Sequence, residues 1–159
     1  MQEPIIRPAE ERDLPRVGAL LMQVNEVHHE IRPDLFKTGA RKYTDDELRV
    51  IFRDPKTPVF VCEDGGEVVG YAFCIVQAHE NDNNLVDGKT LYLDDLCVDE
   101  NARGRGIGTA LYRFVLDYAK KIGCHNLTLN VWEGNDAALG FYRKCGMTVQ
   151  KTGMETVLE

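Results

Sequence analysis

Arg103-Gly104-Arg105-Gly106-Ile107-Gly108-Thr109 lies between a strand pattern and a helix pattern, and the fold turns on how it is read. Upstream, Thr90-Leu91-Tyr92-Leu93-Asp94-Asp95-Leu96-Cys97-Val98 is rich in strand formers, and alternation sets Leu91, Leu93 and Cys97 on one face. Downstream, Ile107, Ala110, Leu111, Phe114, Val115, Tyr118 and Ile122 recur at helical spacing, with Gly123 as the C-cap. A glycine-rich turn feeding a helix N-terminus leaves several backbone N–H groups unpaired and pointing one way. The aligned peptide dipoles add about half a positive charge there. Such a turn is an anion site, most often for phosphate. Arg103 and Arg105 strengthen it, because guanidinium holds phosphate oxygens as a fork.

A nucleoside-triphosphate loop requires GxxxxGK[ST], and no Lys-Ser or Lys-Thr follows these glycines. The dinucleotide fingerprint GxGxxG also fails, because Thr109 stands at its third glycine and the loop falls late in the chain. The pattern that does fit is R-x-x-G-x-G, as Arg103, Gly106 and Gly108. It resembles the acetyl-CoA pyrophosphate loop of the GNAT superfamily of N-acetyltransferases. A plain strand-to-helix connection would use the same glycines, so a second signal is needed.

Residues further on supply it. Leu127-Thr128-Leu129-Asn130-Val131-Trp132 alternates as a strand, and Asn135 is placed to cap a short helix that closes near Gly146. Asn135-x-Ala137-Ala138-x-x-Phe141-Tyr142-x-x-x-Gly146-Met147 is similar to the superfamily's N-x-x-A-x-x-F-Y-x-x-x-G-F segment, with Met147 replacing one apolar packing residue by another. Two separated motifs in the right order identify the chain as a member of the superfamily, most strongly from Thr90 to Val149.

Length and composition agree. A chain of 159 residues is long enough for one real core and is read as a single domain over 1–159. It has no run of about 20 apolar residues, so no membrane partner is expected. Met1-Gln2-Glu3-Pro4 has neither a basic nor an apolar leader pattern, which points to the cytoplasm. Five cysteines, with no CxxC pair, suit small buried hydrophobes in a reducing compartment. A formal net charge of −7 argues against nucleic acid and favours a cationic acceptor.

The first half reads as a short strand at Ile5-Ile6-Arg7, ended by Pro8, and a helix opened by Asp13 and Pro15. That helix carries Leu14, Val17, Leu20, Leu21, Val24 and Val27 on one face and breaks at Arg32-Pro33-Asp34. Thr44-x-x-Glu47 is a capping box for a second helix stopping before Pro55. Val59–Glu63 and Val68–Val76 form a hairpin around Asp64-Gly65-Gly66. The predicted order is β-α-α-β-β-β-α-β-α-β(-β). This is the order of the GNAT fold: an α+β domain of three-layer α/β/α type, whose mixed, mostly antiparallel six- to seven-stranded sheet has helices on both faces.

The resemblance implies a chemistry. Acetyl-CoA is the cosubstrate, and direct transfer to a primary amine of a small molecule, polyamine or protein takes place in a ternary complex. Backbone groups of Leu96, Cys97 and Val98 hold the pantetheine arm, while Arg103, Gly104, Arg105, Gly106, Ile107, Gly108 and Thr109 hold the pyrophosphate. Tyr142 matches the tyrosine that protonates the leaving thiolate in many relatives; the alternative is a packing Tyr beside Phe141. Asn135 is a helix N-cap, a ligand to the cofactor arm, or both.

The general base is open. A lysine-like amine with pKa about 10.4 costs about 4.6 kcal/mol to deprotonate at pH 7, so a base or a water chain is needed. Asp94 and Asp95 precede Leu96, and strict alternation turns them to opposite faces, so only one reaches the cleft. His28, His29 and Glu30 close the first helix, where the superfamily builds its acceptor site. Asp95 and His29 are the named candidates, and each also has a purely structural reading. Glu30, Asp34, Glu80 and Asp82 are placed to draw in a cation or simply to be solvated. Adjacent histidines project differently on a helix and no third ligand is spaced for zinc, so no metal is expected. A homodimer is compatible with this reading, and a non-catalytic acyl-CoA-binding module of the same fold is the alternative.

Overall fold

A computed structural model describes residues 3–159; the leader reading at Met1 and Gln2 lies outside the described residues. The chain runs β1 (Ile5–Pro8), α1 (Leu14–Ile31), α2 (Asp45–Arg53), β2 (Val59–Asp64), β3 (Glu67–His79), β4 (Gly88–Val98), α3 (Ile107–Lys121), β5 (Asn126–Thr128) and α4 (Asp136–Lys144). Single 3-10 turns at Glu11–Asp13 and Glu100–Ala102 introduce α1 and the glycine loop. The strands form one sheet in sequence order, antiparallel from β1 to β4 and parallel between β4 and β5.

Each sheet face has its own core. On one side Leu14, Val17, Leu20 and Leu21 of α1 and Leu48 of α2 pack on Val61, Val68, Tyr71, Phe73 and Cys97. On the other, Ile107, Leu111, Val115 and Ala119 of α3 pack on Cys62, Ala72, Cys74, Leu91 and Leu93, with Tyr142 of α4 joining them. The capping box of α2 makes both of its bonds, Glu47 N–H to Thr44 Oγ1 at 3.2 Å and Thr44 N–H to Glu47 Oε1 at 3.0 Å. Tyr43, just before the cap, joins the same core cluster as Leu48, four residues beyond it, as a hydrophobic staple. Helices α3 and α4 both end in Schellman turns, with Gly123 and Gly146 at positive φ.

Three expectations are corrected. The sheet has five strands, not six or seven: residues 147–159 join no ladder, and β5 pairs with β4 over three positions only. Leu129–Trp132, read as strand, leaves β4 after Tyr92↔Thr128, because the two strands diverge there and ladder bonds need a neighbour. Asp13 opens α1 as the sequence predicts, although its side chain makes no cap bond. Its carboxylate instead takes Arg7 in a two-pronged bond of 2.8 and 3.0 Å and the N–H of Glu10 at 2.8 Å, riveting β1 to the start of α1.

The third correction concerns β4. Phe73 pairs with Asp95 but Cys74 pairs with Leu93, so Asp94 is an extra residue, a β-bulge. Alternation restarts after it. Leu91 and Leu93 face α3, as do Leu96 and Val98, whereas Cys97 lies in the core under α1.

Candidate active site

The parting of β4 and β5 creates a fork. Beyond Tyr92↔Thr128 the last six residues of β4, Leu93–Val98, continue without β5 beside them, and the glycine loop follows directly. Gly104 and Gly106 have φ of 82° and 76°, a left-handed conformation that costs L side chains. Nothing of the protein lies within 4 Å of where a Cβ on either would stand. Among the described residues the N–H groups of Ile107, Gly108 and Thr109 have no partner, the first helical bond being Ala110 N–H to Gly106 O at 3.0 Å. Arg103 is likewise unbonded, and Arg105 is held by Asp64 at 2.6 Å. A Cβ on Gly108 would press against Phe141 at 3.4 Å, so this glycine serves the approach of α4 to α3. The open glycines, free N–H groups and cationic flank fit a pyrophosphate.

Tyr142 sits on α4 and packs beside Tyr112, Phe141 and the α3-side core. Burial, and then the charge of Asp95, raise its phenol well above the ordinary range, so it is neutral at pH 7. Its hydroxyl has no hydrogen-bond partner among the described residues and is not sealed from solvent.

The bulge decides how the two carboxylates lie. Asp94 accepts both Lys42 Nζ, at 3.0 Å, and Tyr43 O–H, at 2.9 Å, from the connector between α1 and α2. Asp95 accepts Tyr71 O–H at 2.7 Å from the same sheet face. Sequence alternation set them on opposite faces; the extra residue brings both to the α1–α2 side. Asp95 keeps some solvent contact yet is enclosed by protein at longer range. Burial lifts its carboxyl to about 6 against the lowering bond from Tyr71 and the charge of Lys42, while Asp94 raises it further. Tyr142 therefore senses the charge of Asp95 across the fork.

His28 and His29 diverge at the end of α1. His28 packs at a tilt against Phe36, ring centroids 5.0 Å apart, and burial, aided by Lys42, lowers its pKa. His29 places Nδ1 2.6 Å from the Phe36 carbonyl and lies within charge reach of Glu26. His28 is thus the imidazole on the Lys42–Asp94 side. Phe36 meets Trp132 edge-on at 5.5 Å, and Arg32 lies 5.9 Å over that indole. Asp34 is paired with Arg32 at 2.7 Å, so it brings no free negative charge. Glu80 and Asp82 precede the far end of β4, about 20 Å of strand from Asp95, and Asp82 closes its own loop through the N–H groups of Asn84 and Leu85. Asn135 caps α4, its Oδ1 accepting Ala138 N–H at 3.2 Å. Cys97 donates toward Leu20 O, and burial followed by Asp95 pushes its thiol up to about 12, so it is no nucleophile.

Lys42, Tyr43, Tyr71, Phe36 and Trp132 were not singled out from sequence for this site. Trp132 was read only as the end of a strand, and the signal that could have drawn notice to Tyr43 is its place directly before the Thr44 capping box. Among the described residues no group of three or more metal-ligating side chains converges, and no helix is long and apolar enough to cross a membrane.

With this geometry in place, the chain compares directly with known proteins. The acetyltransferase (GNAT) family profile matches residues 24–147, and the chain belongs to that family. A crystal structure of a mutant BH1408 protein from Bacillus halodurans superposes with a TM-score of 0.92 at 31% identity, over 98% of this chain and 99% of that one. An uncharacterised N-acetyltransferase of Methanocaldococcus jannaschii is 37% identical over 87 residues, 55% of this chain and 37% of that protein. Glucosamine 6-phosphate N-acetyltransferase of Arabidopsis thaliana is 34% identical over 61 residues, 38% of this chain and 39% of that protein. The chain thus spans about two-fifths of the length of the curated relatives it matches.

Proposed function

We propose that this chain is an acetyl-CoA-dependent N-acetyltransferase that passes the acetyl group directly to a primary amine. The observation that carries the reading is the fork. A free, arginine-flanked helix N-terminus, an unbonded neutral phenol and a half-buried carboxylate converge on it from α3, α4 and β4. The GNAT family match and the N-acetyltransferase names of its relatives support the same reading.

Bound acetyl-CoA supplies the acetyl thioester. Arg103 and the N–H groups of Ile107, Gly108 and Thr109 take the pyrophosphate, while Leu96, Cys97 and Val98 offer backbone groups to the pantetheine arm. An N–H of this stretch also stabilises the carbonyl oxygen as it gains charge. Asp95, ionised above pH 6, accepts the proton from the ammonium acceptor, directly or through one water. Tyr142 gives its proton to the departing thiolate and is reprotonated by the second proton that the acylated nitrogen sheds, while Asp95 passes the first to solvent. His28, Phe36 and Trp132 form an aromatic row beside the connector that carries Lys42, a surface for the acceptor's body, and the net charge of −7 favours a cationic amine.

The test is a thermal-shift titration with acetyl-CoA followed by a thiol-release assay on a panel of amines. Acetyl-CoA at 100 times its Kd is expected to add about 2.7 kcal/mol of stability. Stabilisation without thiol release from any amine would leave a binding module. No stabilisation would remove the cofactor assignment.

A further inference from the structure

Among the described residues two charged side chains are buried, Asp13 and Asp99, at 4% and 7% exposure. Asp13 joins β1 to α1, but nothing in the reaction accounts for Asp99. It directly follows Val98, the end of β4, and caps the 3-10 turn Glu100–Ala102 by accepting Asn101 N–H at 3.1 Å. Its other carboxylate oxygen accepts Arg16 Nη2 at 2.5 Å, and Gln23 Nε2 stands 3.4 Å from the first. Arg16 and Gln23 lie two turns apart along one face of α1. Arg16 also gives Nε to Val68 O at 3.1 Å, and Gln23 accepts Glu100 N–H at 3.3 Å. The backbone of Asp99 is fixed as well: its N–H donates to Val69 O and its O accepts Ala102 N–H, both at 2.8 Å. One buried carboxylate thus ties α1 and β3 to the short link between residues 96–98 and the glycine loop.

The glycine loop depends on how its ends are held. Residues 103–106 are all exposed, between Ala102 and Ile107, which are both buried in the α3-side core. A stretch with two glycines in left-handed conformation has many alternatives, and a ligand that must order it binds more weakly. We propose that Asp99, gripped by Arg16 and Gln23, is a positioning residue for the acetyl donor: it holds the glycine loop in its phosphate-binding shape before acetyl-CoA arrives. This role rests on the acetyl-CoA reading above and adds to it two residues of α1 that act through Asp99. Without Arg16 the buried carboxylate keeps its charge but loses its cation, and turning out into water is its relief. That movement undoes the Asn101 cap and releases the turn from which Arg103, Gly104 and Gly106 follow. Phosphate must then order the loop as it binds, and affinity falls. Asp95 and Tyr142 lie off this path, so transfer from a donor already bound keeps its rate.

Calorimetry with coenzyme A, and kinetics with two acetyl donors, test this. Arg16→Ala is expected to raise Kd for coenzyme A about tenfold or more, with kcat at saturating acetyl-CoA and KM for the amine within about twofold of wild type. S-acetylpantetheine lacks the pyrophosphate, so its kcat/KM should stay within about twofold while that of acetyl-CoA drops. A general loosening of the fold would lower both donors alike, and that outcome overturns the positioning role. An unchanged Kd in Arg16→Ala overturns it too, whatever happens to the unfolding temperature. Gln23→Ala keeps the ion pair and decides the matter if Arg16→Ala does not fold. It is expected to raise Kd about threefold, and wild-type affinity there counts against the role. Arg16→Lys keeps the charge but has no fork to serve Val68 O and Asp99 together, so its Kd should fall between those of wild type and Arg16→Ala. Coenzyme A that fails to bind the wild-type protein would remove the acetyl-CoA reading and this role together.

Discussion

Tyr142 and Asp95 face the same fork with opposite proton inventories at neutral pH, and the two should separate kinetically. Tyr142→Phe keeps the ring that packs beside Phe141 and removes the donor; kcat is expected to fall about 10²-fold with Kd for acetyl-CoA unchanged. An unaltered kcat would return the residue to packing. Asp95 must be ionised to act as base, so kcat should rise with pH through about 6 and then level. Asp95→Asn is expected to abolish that limb along with most of the rate. The same change should raise the unfolding temperature at pH 8. A carboxyl whose folded pKa exceeds its unfolded value destabilises the fold once ionised, and that cost is fully present above pH 6. The opposite sign holds at Asp13. Burial opposes its ionisation, but Arg7 and the Glu10 N–H hold its carboxyl below the ordinary range. Its contribution is therefore present above the unfolded pKa of about 3.9 and lost as pH falls through the lower folded value. Arg7→Ala strands that buried carboxylate, and about 3 kcal/mol should disappear from a urea unfolding curve at pH 7.

Among the elements, the glycine loop is where local sequence dictates geometry most directly. Gly106→Val combines a strained left-handed φ with a side chain standing where phosphate would approach. Calorimetry should show at least a tenfold loss of acetyl-CoA affinity in a protein that still folds, and wild-type affinity would dismiss the loop assignment. This loop, the helices with their caps and the hairpin were legible because each is specified by residues a few positions apart. The bulge at Asp94 was not. It adds one residue to a run that still alternates plausibly, and only pairing with β3 shows where the phase slips. The three-residue extent of β5 was hidden for a similar reason, since the ladder ends where the neighbour diverges and not where strand formers run out. Lys42 and Tyr71 escaped because their partners lie 52 and 24 residues away.

At the level of the whole molecule, the proposed function draws its contacts for the two substrates from separate stretches of chain. The donor side is drawn from β4, the glycine loop, α3 and α4, within residues 90–147. The acceptor side is drawn mainly from the end of α1 and the connector at 32–44. That connector is bounded by the Arg32 N–H bond to His28 O, at 2.8 Å, and by the capping box at Thr44, both of which form locally. It behaves as a cassette. Grafting the corresponding connector from a relative with another acceptor should move the amine preference in a competition assay while Kd for acetyl-CoA stays within twofold. Divergence in such a chain is cheap: a lineage can trial new amines by rewriting a dozen residues, leaving its machinery for the acetyl donor inherited intact.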